Sequence, residues 1–270
     1  MQFIIIGAVL LLASAGLYLG SRTQQRKLYQ IQSTATTTFA ELTSLATAVA
    51  KEIGAGSFNQ IAEVKGTVEC AAPLTSELSQ TPCVYYSMSV TREYEETYWE
   101  NDDKGNRVQR TRRGSESVAS NTRSVSFQVR DSTGAVTVDP DGASFVDEKV
   151  FSEFRPGEAM GGGLRFGSYT FSPAGIRALA GGRRTIGYRF EEKAIPLGRP
   201  IYVLGEAVDS GGRLRVQKPD QKGARFIVSL KSEEQLVKGA RSATTGLRVG
   251  AIVALVLGVA GVVLGVLKVV

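Results

Sequence analysis

The sequence predicts a mainly β protein, antiparallel and folded as a small barrel or a sandwich, held between two transmembrane helices with a helical stalk after the first. Three observations predict it. Residues 3–19 and 249–267 are uncharged apolar runs, each just long enough to cross a bilayer as a helix. Residues 22–53 lack Pro and Gly and carry apolar side chains three and four apart, a helical spacing. From Ala62 the apolar period drops to two, and turn residues recur at short intervals. The expected division is a transmembrane helix at 3–20, a stalk at 21–56, a β-rich domain at 60–237, a juxtamembrane segment at 238–248 and a second transmembrane helix at 249–267. Barrel and sandwich both fit; the barrel is the preferred reading.

In the first run, Ala13-Ser14-Ala15 has the small residues of a cleavage site, but no Lys or Arg precedes it, which favours a retained anchor. Arg22, Arg26 and Lys27 follow this run, and Lys238, Arg241 and Arg248 precede the second; only Lys268 lies beyond it. Because Lys and Arg beside spans stay in the cytoplasm, an integral membrane protein with a cytoplasmic domain is expected. Gly250, Gly258, Gly261 and Gly265 form a small-residue stripe that could admit a neighbouring helix, although Gly is common in membrane helices generally. In the stalk, Phe39, Leu42, Ala46, Val49 and Ile53 make a stripe ending at Gly54-Ala55-Gly56. Self-association into a homo-oligomer and packing back on the domain are both open.

Val64, Gly66, Val68 and Cys70 alternate with polar residues as a first strand, and Pro73 and Pro82 confine a loop. A second strand starts at Cys83-Val84-Tyr85-Tyr86 and runs through Tyr94, Tyr98 and Trp99. The charged stretch 100–114, with Arg107, Arg110, Arg112 and Arg113, reads as the solvated tip of a long hairpin. Phe127 and Val129 alternate before Asp131-Ser132-Thr133-Gly134, and Val136 and Val138 after it, which defines a hairpin. Asp131, Asp139 and Asp141 are turn residues, since the spacing lacks the loop and terminal Glu of a calcium site. Gly161-Gly162-Gly163 has no following Lys-Ser or Lys-Thr and reads as a connection, not a phosphate loop. Ser172-Pro173 and Gly181-Gly182 bracket a short helix at 174–180. Strand-like runs follow at 185–192, 201–208, 214–216 and 226–229, and residues 231–247 lead as helix into the second span.

Composition narrows the chemistry. The chain carries a net charge of +6, no His and two Cys. Without His there is no Ser-His-Asp or Cys-His catalysis, and Cys70 and Cys83 cannot supply a four-ligand zinc site. No cofactor is expected. The two cysteines read as buried thiols, with a disulfide across the twelve intervening residues left open in an oxidising compartment. Basic residues are interleaved with acids and no nucleic-acid motif accompanies them, so nucleic acid is not an expected partner. Glu191 and Glu192 are adjacent, which on a strand sends them to opposite faces and away from shared acid–base work.

The segments Val64-Lys65-Gly66-Thr67-Val68, Pro73-Leu74-Thr75-Ser76, Pro82-Cys83-Val84-Tyr85-Tyr86, Asp131-Ser132-Thr133-Gly134, Glu191 to Gly198 and Tyr202-Val203-Leu204-Gly205-Glu206 together resemble the GIDE, or beside-a-membrane, domain. That domain lies between two membrane helices in mitochondrial membrane-anchored ubiquitin ligases, where a zinc-binding RING after the second helix carries the activity. The resemblance implies kinship with RING-type E3 ligases, but no RING ligand has a counterpart in these residues, and no catalytic residue carries over. The expected function is a non-catalytic membrane-anchored module that binds a protein or anionic lipid partner beside the bilayer. The alternative is a component of ubiquitin ligation acting with a separate zinc-binding subunit. The candidate interaction surface is Tyr85, Tyr94, Tyr98, Trp99, Arg107, Arg110, Arg112 and Arg113. Alternation would bury Val84 and Tyr86 and leave Tyr85 outward.

Overall fold

The computed structural model describes residues 2–157, 163–172 and 183–267. Its described helices are α1 (Gln2–Ser33), α2 (Phe39–Glu52) and α3 (Glu233–Leu267). The apolar runs lie in α1 and α3, which pack antiparallel with Ile4 against Gly265 and Leu17 against Gly250. The two runs therefore stand side by side and end at one level. The glycine stripe is used within the chain: a Cβ on Gly265 would come 2.5 Å from Ile4 Cγ1, and one on Gly7 would come 2.8 Å from the Gly258 carbonyl. Close approach also lets Ser14 Oγ donate to the Ala251 carbonyl at 2.8 Å. Ile5, Leu12 and Leu19 of α1 and Ile252, Val256 and Leu264 of α3 are exposed on the outside of the pair. Both helices are long and apolar enough to cross a membrane, and apolar side chains left outside a helix pair need lipid or protein to cover them.

Five strands close a barrel: β1 (Asn59–Glu69), β5 (Phe127–Arg130), β6 (Ala135–Val138), β13 (Leu214–Gln217) and β12 (Pro200–Asp209), which returns to β1. Neighbours are antiparallel except β6 and β13, which pair in parallel. Alternation sends Val64, Phe127, Val129, Val138, Val203 and Val216 into a common core. Gly66 leaves no room for a side chain beside the Arg130 carbonyl, and so lets β1 pass from one partner strand to the next. From β12, β14 (Ile227–Ser229) continues the sheet to β7 (Ser144–Val146).

A second sheet is built on β3 (Pro82–Asn101), the longest strand. Its order is β4 (Arg107–Ser124), β3, β11 (Arg184–Pro196) and β8 (Glu148–Pro156), with short β2 (Leu74–Thr75) on the first residues of β3. The hairpin of β9 (Leu164–Phe166) and β10 (Tyr169–Phe171) sets Phe166 and Phe171 against Tyr188 and Phe190.

Three expectations meet a different structure. The stalk is not one helix: α1 stops at Ser33, Thr36 bridges β1 at Glu63, and Thr38 and Glu41 form a capping box that starts α2 afresh. Leu42 and Ala46 are buried in the barrel core, so that stripe packs back on the domain. The charged stretch is strand rather than loop, because β3 and β4 pair out to Asn101 and Arg107, leaving a turn at 102–106. Tyr85 is 8% exposed and stacks on Phe145 with centroids 3.8 Å apart. The start of β3 is covered on both faces: Val84 and Tyr85 join the barrel core while Cys83 and Tyr86 pack with Ala194. Cys70 and Cys83 are free thiols. The expected helix at 174–180 and Gly161-Gly162 fall outside the described residues.

Candidate functional site

β11 accompanies β3 only as far as Glu95, so residues 96–101 of β3 and their partners on β4 project as a two-stranded ribbon. At ~3.3 Å per residue it reaches roughly 20 Å beyond the sheet. Alternation splits the nominated residues. Tyr98 shares a face with Arg110 and Arg112, while Trp99 shares the other with Arg107 and Arg113. Trp99 is 59% exposed and Tyr98 36%. Arg107 lies over the Trp99 ring at 6.0 Å and Arg112 over Tyr98 at 5.5 Å.

Three of the four arginines there are already paired with glutamates. Arg110 meets Glu100 at 2.8 Å, Arg112 meets Glu96 at 2.6 Å, and Arg113 meets Glu95 at 3.2 Å. Arg184 adds a second cation to Glu95 and Arg183 to Glu96. Hydrogen bonds from Arg184 to Glu95 and from Arg112 to Glu96 hold both carboxyls below the usual glutamate range. Residues 95–113 contain five acids and five bases, so the ribbon has no net charge.

Tyr94 sits at the ribbon's root between two guanidiniums, Arg183 at 4.8 Å and Arg92 at 5.3 Å from its ring. Arg92 is 1% exposed and spends its donors on Thr185 Oγ1 at 2.9 Å, Glu116 at 2.7 Å and the Arg183 carbonyl at 3.1 Å. Tyr94 is thus a packed support of the ribbon, and Tyr85 lies apart from it in the core. Of the eight nominated residues the structure brings five together on the ribbon, on two faces, with a sixth, Arg113, at its root.

The buried carboxylates hold loops and joints. Glu192, fully buried, accepts from the backbone N–H of Leu78 at 2.8 Å and of Ser79 at 3.0 Å. Glu191 pairs with Lys149 on the other face. Asp131 accepts from Thr133 and Gly134 in its own turn and from Phe39 N at 2.8 Å at the start of α2. Among the described residues no cluster could hold a metal ion.

Sequence reasoning missed a polar joint between barrel and helices. Glu63, fully buried, accepts from Thr36 Oγ1 at 2.6 Å and from Tyr202 OH at 2.9 Å, and pairs with Lys65 at 2.9 Å. Lys65 also reaches Glu233, at the first turn of α3, at 2.9 Å. Burial opposes the Lys65 charge, but the Glu233 and Glu63 carboxylates outweigh it and raise the amine; burial and then Glu63 push the Tyr202 phenol above its usual range. One residue cluster therefore ties the end of α1, two barrel strands and the start of α3.

A β-barrel with an appended sheet, entered and left through paired apolar helices, defines a β-domain protein flanked by helices fit to span a membrane. The family model for GIDE, described as an E3 ubiquitin ligase, matches residues 95–265, and the chain belongs to that family. It is similar to the E3 ubiquitin-protein ligase SP1 of Arabidopsis thaliana, 37% identical over 86 residues, covering 29% of this chain and 24% of the relative. It is also similar to the E3 ubiquitin-protein ligase SPL1 of the same plant, 30% identical over 122 residues, covering 43% of this chain and 32% of the relative. The matches thus span a third or less of the relatives' lengths. No solved structure matches.

Proposed function

We propose that the protein is a non-catalytic binding module anchored beside a membrane by α1 and α3, and that it engages a protein partner through the β3–β4 ribbon. One observation carries this reading: Trp99 and Tyr98 are exposed on opposite faces of a projecting ribbon that has no net charge and pairs three of its four arginines with glutamates. Exposed aromatic side chains with guanidiniums beside them are the usual anchors of protein interfaces, and a ribbon without net charge has little to offer a phosphate surface. Tethering at both ends raises the effective concentration of any partner in the same membrane. Arg22, Arg26, Lys27, Lys238, Arg241 and Arg248 all lie on the domain side of the apolar runs, which supports a cytoplasmic domain.

The test is in-membrane photocrosslinking from Gln109, opposite Trp99 on β4, in the full chain and in a Tyr98→Ala, Trp99→Ala variant. A stoichiometric protein captured by the first and lost in the second is the expected result. Capture of lipid alone, or of the same protein by both chains, refutes the ribbon as the binding surface.

Membership of the GIDE family favours a second reading, in which the partner belongs to ubiquitin ligation. In this reading a separate zinc-binding subunit acts with these residues, which with no His and two Cys cannot themselves hold the paired zinc ions of a RING. A RING protein among the captured partners supports this reading.

A further inference from the structure

Cations without acid partners gather where α1 leaves the apolar level. Arg26 and Gln30 of α1 and Lys222 and Arg225 of the β13–β14 connection bound a cavity of about 440 Å³. Arg22 lies on its continuation, one turn nearer the apolar run. No Asp or Glu lines either part. Among the described residues, Arg22, Arg26, Lys27, Lys222 and Arg225 have no carboxylate within 4.0 Å. The first acid in the sequence is Glu41. Burial, and then the neighbouring Arg225, lower Lys27, so cations crowd each other here without a counter-charge.

Gln30 adds an independent observation. Its Nε2 donates to the Gly223 carbonyl at 2.9 Å, while its Oε1 is buried and has no donor. Clustered cations lack an anion and a buried acceptor lacks a donor. A phosphodiester with a hydroxyl beside it supplies both.

Position chooses the source of that phosphate. The apolar run of α1 ends at Leu19. At 1.5 Å per residue Arg22 stands ~5 Å and Arg26 ~10 Å further along, against a polar layer roughly 5–8 Å deep on each side of a bilayer. Arg248 of α3, beside the end of the second run, stands near the same level.

We infer that this groove binds the phosphate of an anionic glycerophospholipid from the adjoining leaflet, with Arg22, Arg26 and Arg225 facing the phosphate and Gln30 Oε1 accepting from a headgroup hydroxyl. The inference rests on α1 and α3 spanning the membrane as proposed above. It separates the lipid contact from the ribbon, which is left for the protein partner.

The test uses the full chain, extracted from membranes and titrated with phosphatidylglycerol or phosphatidylcholine while bound lipid is counted by native mass spectrometry. One phosphatidylglycerol per chain, preferred over phosphatidylcholine, is the expected result. Arg26→Ala with Arg225→Ala should weaken retention about 30-fold, as expected for two basic residues beside an anionic surface. Arg26→Lys with Arg225→Lys should weaken it several-fold, because an ammonium cannot reproduce the guanidinium fork. Arg110→Ala with Arg112→Ala should leave it unchanged. Unaltered retention in the Arg26, Arg225 alanine chain, at an unchanged melting temperature, overturns the site. Displacement by glycerol 3-phosphate at concentrations matching the lipid's overturns the lipid source in favour of a soluble phosphate. A chain that alkali strips from membranes overturns this inference and the anchored-module reading together; a retained chain without phosphatidylglycerol preference overturns this inference alone.

Discussion

Replacing Glu63 by Ala should loosen the joint between the barrel and its helices. The carboxylate accepts from Thr36 and Tyr202 and pairs with Lys65, all within 3.0 Å, at a residue with no solvent exposure. Hydrogen bonds to a charged group contribute about 1.5–3 kcal/mol each, which sets a gross limit near 4–9 kcal/mol for three. Burying the carboxylate offsets part of that gain, and removing one partner of a buried ionic cluster costs about 3–5 kcal/mol. Lys65 keeps Glu233 and is partly exposed, so it recovers hydration; the Tyr202 hydroxyl, 139 residues away in sequence but buried on Glu63, does not. A value near 3 kcal/mol follows. For a domain of this size that corresponds to a fall of roughly 6–12 °C in melting temperature.

Two assays separate this from simple loss of packing. Thermal unfolding measures the total, and amide exchange at Thr37, whose N–H donates to the Glu63 carbonyl at 2.8 Å, reports the joint itself. Glu63→Gln keeps the shape and loses the charge, and should fall between wild type and Glu63→Ala in both. A melting temperature within 2 °C of wild type for Glu63→Ala, with Thr37 still protected, would refute the claim that this cluster holds the helices to the barrel.

Three further outcomes are expected. Gly265→Val should push α1 and α3 apart, since its Cβ would lie 2.5 Å from Ile4 Cγ1; the cost, about 1–3 kcal/mol, is measurable as loss of crosslinking between cysteines placed at positions 17 and 250, which meet across the same pair. Glu95 and Glu96 titrate below the usual value of about 4.5, so their pairing is fully present above that pH and is lost as pH falls through the lower folded values. Fluorescence of Trp99, the chain's one tryptophan, should therefore change only below pH 4.5, and a transition centred above pH 5 would contradict the pairing. Burial, and then Glu192, push the Cys83 thiol up to about 11, so maleimide at neutral pH should label only Cys70 until the chain unfolds; two labels on native protein would count against the buried position of Cys83.

Features written in one residue's neighbourhood were legible in the sequence. The apolar runs show by length, and the β5–β6 hairpin shows in two clean alternations around Asp131 and Gly134. The barrel was favoured, but its closure by the parallel β6–β13 pair joins residues almost eighty positions apart and leaves no local trace. β4 was the least legible strand. Its sequence is nearly all polar, and it is a strand because Glu95, Glu96 and Glu100 wait across β3 for its arginines. Alternation alone puts Tyr85 outward because it presumes one wet face, whereas the first residues of β3 lie between two packed layers. The break before α2 did have a signal, Thr38 with Glu41 three residues on, hidden within a run free of Pro and Gly.

The proposed division of partners follows charge pairing rather than charge count. The arginines most conspicuous in the sequence are four within seven residues, yet the fold answers three of them with glutamates, and what remains outside is Trp99 and Tyr98. The cations beside α1 are scattered in sequence, at positions 22, 26, 222 and 225, and no acid answers them. The two surfaces should consequently respond to salt in opposite degrees. Attraction between unpaired arginines and headgroups is screened over a Debye length of about 8 Å at physiological ionic strength, whereas burial of an aromatic ribbon in a protein cleft is not. Raising salt should release lipid from the groove while the ribbon's partner stays bound. Loss of both together would mean that one electrostatic surface, not two distinct ones, holds this domain to its surroundings.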